Sequence, residues 1–201
     1  VHVIPNWADP NELTPKPKAE STFAQEHDLV EAFTLLYSGN LGLYYEFDMI
    51  LGAAEQLLDQ NFRLVFTGAG GQRSYIEKQI MERKLTNTLL LPYQPQSSFN
   101  DSLNSCDALL VTIAKGIDGI SFPSKLYTSL SVGKPIIAFS SPNSELRLKV
   151  EANNVGYWVA LGDADGLVAC IKKMIANPDD VKATGERARE LLIEQYSIDV
   201  S

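Results

Sequence analysis

Pro123-Ser124-Lys125 places a proline, a hydroxyl and an ammonium side by side, opening a predicted helix over residues 124–132 that Gly133 closes. Proline suits the first helical position, where its missing N–H costs nothing. The N–H groups of Ser124, Lys125 and Leu126 would then lack intrahelical acceptors and point outward at the positive end of the helix. A diphosphate placed there would gain charge-assisted hydrogen bonds, each of about 1.5–3 kcal/mol. Lys125 adds a mobile charge and Ser124 a further donor. The plain alternative is a capped helix with a solvated lysine.

Three more loops carry residues suited to ligand approach. Gly39-Asn40-Leu41-Gly42 follows a strand-like run ending in Tyr37-Ser38. Glycines there let the backbone turn sharply and meet a ligand without a Cβ in the way. Thr67-Gly68-Ala69-Gly70-Gly71-Gln72-Arg73 invites a dinucleotide fingerprint, but Arg73 stands where its third glycine belongs. The acidic residue wanted about 20 positions later is also absent, since that strand ends in Leu90-Leu91-Pro92. Gly68 and Gly70 therefore read as turn and ligand-approach residues. In Pro92-Tyr93-Gln94-Pro95, Tyr93 offers an aromatic face to a base, with a plain turn as the alternative. The only histidines, His2 and His27, lie in the N-terminal segment, which excludes a Ser-His-Asp or Cys-His arrangement within the sheet region. No catalytic residue, metal ligand set or resident cofactor is assigned.

These loops need a scaffold. Strands are predicted over 33–38, 62–67, 88–92, 108–113, 135–139 and 156–160, and helices over 45–59, 72–83, 97–104, 124–132, 145–152, 166–176 and 181–195. Phe47, Ile50, Leu51, Ala54, Leu57 and Leu58 recur at three- and four-residue spacing and give the first long helix one apolar face. Tyr75, Ile76 and Ile80 make only a narrow stripe, as a surface helix would. Asp163 before residues 166–176 and Asn177-Pro178 after them read as a start and a stop. Short apolar runs alternating with helices imply an α/β fold. The expected sheet is doubly wound and parallel, of about six strands with helices on both faces, and its ligand lies beyond the carboxyl ends of the strands. Pro5, Pro10, Pro15 and Pro17 forbid regular structure before residue 31, apart from one helical turn near 23–27.

The chain of 201 residues is long enough to bury roughly 70% of its unfolded surface. Its net charge of −8 repels nucleic acid and anionic lipid, so a phosphate ligand must be held by a local positive feature. Cys106 and Cys170, in apolar surroundings and without metal-ligand spacing, read as small buried hydrophobes and suggest a reducing, cytoplasmic setting. The apolar runs are strand-sized, far below a membrane span. With no initiator methionine and a strand-like opening at residues 1–4, the chain is expected to be a fragment.

In order and spacing, these loops resemble a known pattern. Val3-Ile4-Pro5-Asn6, Tyr37-Ser38-Gly39-Asn40-Leu41-Gly42, Phe66-Thr67-Gly68-Ala69-Gly70, the run from Cys106 to Val111, Pro123-Ser124-Lys125-Leu126 and Gly133-Lys134-Pro135-Ile136-Ile137-Ala138 carry it. The sequence resembles the C-terminal, Rossmann-like half of GT-B glycosyltransferases of family 4, the glycosyl transferase group 1 set, up to about Tyr196. The resemblance implies an interdomain linker over residues 1–31 and a donor-binding domain over 32–201, with an absent N-terminal domain holding the acceptor and any peripheral membrane contact. It implies retaining transfer from a UDP- or GDP-linked sugar in cell-surface polysaccharide or glycoconjugate synthesis, without a catalytic metal. Gly39, Asn40, Gly42, Pro123, Ser124 and Lys125 would meet donor and phosphates, and Gly68, Gly70, Tyr93 and Thr128 the nucleotide. The family's glutamate pair falls on Ile120 and Thr128, and its usual basic residues after the first glycine loop are replaced by Asn40, Tyr44 and Tyr45. A nucleotide-sugar epimerase of the same architecture, or a degenerate noncatalytic nucleotide-binding module, stays open beside the transferase.

Overall fold

The computed structural model describes residues 6–114, 116 and 122–198. The strand-like opening at residues 1–4 and the positions Gly119, Ile120 and Ser121 lie outside the described residues.

Six strands, β1 (Phe33–Ser38), β2 (Phe62–Thr67), β3 (Thr88–Leu91), β4 (Ala108–Thr112), β5 (Ile136–Ser140) and β6 (Gly156–Ala160), form one sheet in the order β3-β2-β1-β4-β5-β6. Every pairing is parallel, from Phe33 opposite Phe62 in β1–β2 to Ser140 opposite Ala160 in β5–β6. The helices are α1 (Thr22–Glu26), α2 (Phe47–Gln56), α3 (Arg73–Glu82), α4 (Gln96–Asn104), α5 (Lys125–Ser131), α6 (Glu145–Ala152), α7 (Ala164–Ala176) and α8 (Pro178–Leu191).

Strand alternation assigns the two faces. Leu35, Tyr37, Phe66, Leu110, Ile137 and Phe139 pack with the apolar faces of α2 and α7 and with Ile76 of α3. Their neighbours Val111, Ile136 and Ala138 pack with α5, α6 and α8, and Leu36, Val65 and Leu109 with Phe23 and Leu103. Burial on both sides explains the near-continuous apolar runs. The expected six-stranded, doubly wound sheet is found. In α3 only Ile76 is buried, in keeping with its narrow stripe.

Element ends differ where local chemistry is stronger than periodicity. The helix expected at 45–59 is α2, because Tyr45 and Glu46 stay in the turn and the Leu57 N–H caps onto the Ala54 carbonyl at 3.1 Å. The helix expected at 181–195 starts at Pro178, which ends α7 and serves as the first residue of α8. Asp163 caps α7 by accepting the Gly166 N–H at 2.8 Å, so that helix begins at Ala164.

The proline-bearing N-terminal segment lies strapped against the domain. Asp101 of α4 accepts from Lys16 Nζ, Thr22 Oγ1 and the Phe23 N–H, each at 2.8 Å. Lys18 pairs with Asp107 at 2.6 Å. The single helical turn expected near residues 23–27 is α1, capped by Ser21 Oγ, which accepts the Ala24 N–H at 3.0 Å. Further back, the Ala8 N–H donates to the Tyr196 carbonyl at 3.0 Å, and Ala8 bridges Ser197 in parallel. The Arg189 guanidinium donates to the carbonyls of Pro10 at 2.7 Å and Ser131 at 2.6 Å, fastening the same segment to the end of α5.

Candidate functional site

The strand ladder continues past the carboxyl ends of β1, β2 and β3 into the loops. The Gly39 N–H donates to the Thr67 carbonyl at 2.8 Å, Leu41 to Ala69 at 2.8 Å, and Gly68 to Leu91 at 3.0 Å. A Cβ on Gly68 would lie 1.9 Å from the Gly39 carbonyl oxygen, and one on Gly70 2.4 Å from that of Leu41. These two glycines let one loop backbone press on another. Arg73 Nη1 donates to the carbonyls of Gly68 at 3.0 Å and Leu91 at 3.2 Å, tying the second loop to the third. Its guanidinium is thus a brace between loops.

Beyond these ends, at the switch point where β1 and β4 run side by side with helices leaving in opposite directions, lies a cleft of about 410 Å³. Gly39, Asn40, Tyr93, Ser124, Lys125 and Thr128 line it. Gly42, Gly68, Gly70 and Pro123 do not form its lining. Sequence reasoning missed the apolar wall of Phe99, Leu103 and Leu109, which lie in a predicted helix and a predicted strand and carry no ligand signal. A cavity of about 440 Å³ opens at the opposite, amino ends of the strands, but its Lys18–Asp107 pair is already satisfied internally. Open parallel sheets take their ligands at the other edge.

Among the described residues lining the cleft, Lys125 is the one charged side chain. Its stem crosses Gly39, where an added Cβ would meet Lys125 Cε at 2.5 Å. Gly39 itself has φ +135°, a conformation that side chains rarely adopt. Lys125 Nζ lies 5.2 Å from the Tyr37 ring centroid and 5.8 Å from that of Tyr45. Among the described residues no carboxylate pairs with it, and burial pushes its ammonium below the ordinary lysine range. Tyr37 is buried in β1, and its hydroxyl donates to the Asn40 carbonyl at 2.6 Å, fixing the turn under the lysine.

The helix terminus itself is less open than expected. The Leu126 N–H donates to the Pro123 carbonyl at 3.1 Å, a tight first turn that removes one of the three donors predicted to face a ligand. Pro123 precedes the helix, and Ser124 is its exposed cap residue. Thr128, one turn further along, is half-buried on the same wall.

A profile of the family "Glycosyl transferases group 1" matches residues 19–191. The chain is 25% identical over 194 residues to WbjE of Pseudomonas aeruginosa, described as a probable glycosyltransferase, covering 96% of this chain and 48% of that protein. It is 28% identical over 159 residues to WcaI of Escherichia coli (strain K12), named provisionally as a colanic acid biosynthesis glycosyl transferase, covering 79% of this chain and 39% of WcaI. This chain thus spans about half the length of these relatives or less. Among solved structures, Anabaena Alr3699/HepE in complex with UDP and glucose superposes with a TM-score of 0.82 at 17% identity, covering 98% of this chain and 53% of that one.

Proposed function

Since the chain belongs to the glycosyl transferases group 1 family, we propose that it is the donor-binding half of a retaining glycosyltransferase that takes its sugar from a UDP- or GDP-linked donor. One observation carries the reading: a largely buried lysine without a carboxylate partner among the described residues stands on the wall of the switch-point cleft. A desolvated cation of this kind is costly unless an anion joins it. A diphosphate entering beside Gly39 would supply that anion and accept from Ser124. Tyr93 and Phe99, on the cleft wall, would flank a base, and Thr128 would meet a ribose hydroxyl. As the diphosphate leaves, Lys125 would stabilise the charge it develops, an electrostatic contribution to catalysis. The acceptor would bind on the other half of the protein. The name of WcaI supports a place in polysaccharide synthesis.

Calorimetry with UDP and GDP tests the donor site. Lys125→Ala is expected to lose about 1.5–3 kcal/mol, or roughly tenfold to more than a hundredfold in affinity. Arg73→Ala should cost less affinity and more thermal stability, because that guanidinium braces loops. Equal affinity of Lys125→Ala and parent would defeat the assignment. The neutral Thr128 at the nucleotide wall also keeps alive a noncatalytic binding module, separated by transfer assays on the longer protein.

A further inference from the structure

Lys125 lines the cleft, and among the described residues no acid pairs with it. Its ammonium lies over two aromatic faces, Tyr37 at 5.2 Å and Tyr45 at 5.8 Å from the ring centroids. Tyr37 is buried in β1 and packed edge-on against Phe47 at 5.1 Å. Tyr45 stands on the loop between β1 and α2, and its placement is built rather than incidental. A Cβ on Gly42 would come 3.2 Å from Tyr45 Cε2, so the ring occupies the space this glycine leaves. Gln72 Nε2 donates to the Tyr45 carbonyl at 2.8 Å, and Phe47 braces the ring edge-on at 5.9 Å. The two glycines of the first loop thus have paired uses: Gly39 passes the lysine stem and Gly42 admits the ring.

Building on the donor-site reading above, we propose that Tyr45 is a positioning residue for diphosphate binding, which with Tyr37 forms an aromatic seat that holds the Lys125 ammonium at the cleft. An aromatic face attracts a cation through its quadrupole without carrying formal charge. A carboxylate in the same place would grip the lysine harder, but it would cancel the charge and repel an incoming diphosphate. In a chain of net charge −8, a seat of this type keeps one local positive field intact. The ring carries this role, and the Tyr45 hydroxyl does not.

The test uses the whole chain, UDP and GDP as probes, and a double-mutant cycle. Tyr45→Leu is expected to weaken UDP binding about threefold to tenfold, while Tyr45→Phe binds as the parent does. In a Lys125→Met background, Tyr45→Leu should have no further effect, because the residue acts through the lysine. In ligand-free, 13C-labelled parent, the Lys125 Hε resonances should be shifted upfield by the rings, and Tyr45→Phe should keep that shift. Unchanged UDP affinity in Tyr45→Leu, equal losses in both backgrounds, or the absence of the upfield shift in the parent would each overturn the seat. A parent that shows the upfield shift yet binds neither UDP nor GDP would defeat the donor-site reading and, with it, the role of Tyr45 in diphosphate binding.

Discussion

Gly68 shows how little a single position can yield. An alanine there would drive its Cβ to 1.9 Å from the Gly39 carbonyl oxygen, where the obstacle is backbone and cannot rotate away. Gly68→Ala is expected to cost at least about 1–3 kcal/mol by urea titration, as overpacking does. It should also lower UDP affinity, since the displaced strand is the one carrying Lys125's crossing point. Gly162→Ala is the control: φ is again positive at +81°, but nothing lies within 4 Å, leaving only the backbone strain of about 1 kcal/mol. The contrast explains which site residues were legible in the sequence. Lys125, Ser124, Gly39 and Tyr93, which line the cleft, are legible because strand-end loops and a Pro-Ser-Lys helix start advertise them. Gly42, Gly68 and Gly70 were also noticed, but a glycine signals a close approach without saying of what. Here the approaching groups are a tyrosine ring and neighbouring backbone. Tyr37 was hidden because an aromatic residue within an apolar strand reads as core, which it also is.

Among the elements, the strap over α4 makes the sharpest expectation. Burial works against ionisation of Asp101, but Lys16, the Phe23 N–H and Thr22 outweigh it and hold the carboxyl below its ordinary range. A carboxylate with a depressed folded value stabilises fully above its unfolded value of about 3.9, and that contribution disappears as pH falls through the folded value. Asp101→Asn should therefore lower stability near neutral pH by about 1–3 kcal/mol, with the difference shrinking below about pH 3. A gap between variant and parent that stays constant down to that acidity would mean the carboxylate charge is irrelevant. The strap was invisible beforehand because its partners lie 78 to 85 positions apart, beyond any local pattern. The strands and helices, in contrast, were legible almost throughout. Their apolar periods are imposed by a sheet buried on both faces, and only caps such as Asn177-Pro178 shifted the ends.

For the whole molecule, the thiols give a readout. Burial pushes the Cys106 thiol up to about 12 and leaves its sulfur fully enclosed against the Leu103 carbonyl, whereas Cys170 is only partly buried and pushed up to about 11. Thiol labelling near pH 8 should be slow at Cys170 and at Cys106 should await global unfolding. Rapid native-state labelling of Cys106 would show that α4 opens on its own. The donor-site proposal also carries a whole-chain expectation: these 201 residues bind a nucleoside diphosphate and transfer no sugar, and robust transfer to any acceptor would refute it. The backbone at Ala8 and at Ser197 runs side by side, joined by a parallel bridge and secured through Arg189. The two ends of this stretch therefore lie at one place on the domain. If this unit selects the sugar, as proposed above, recombination between related genes would exchange it by two crossovers that fall at one place in space.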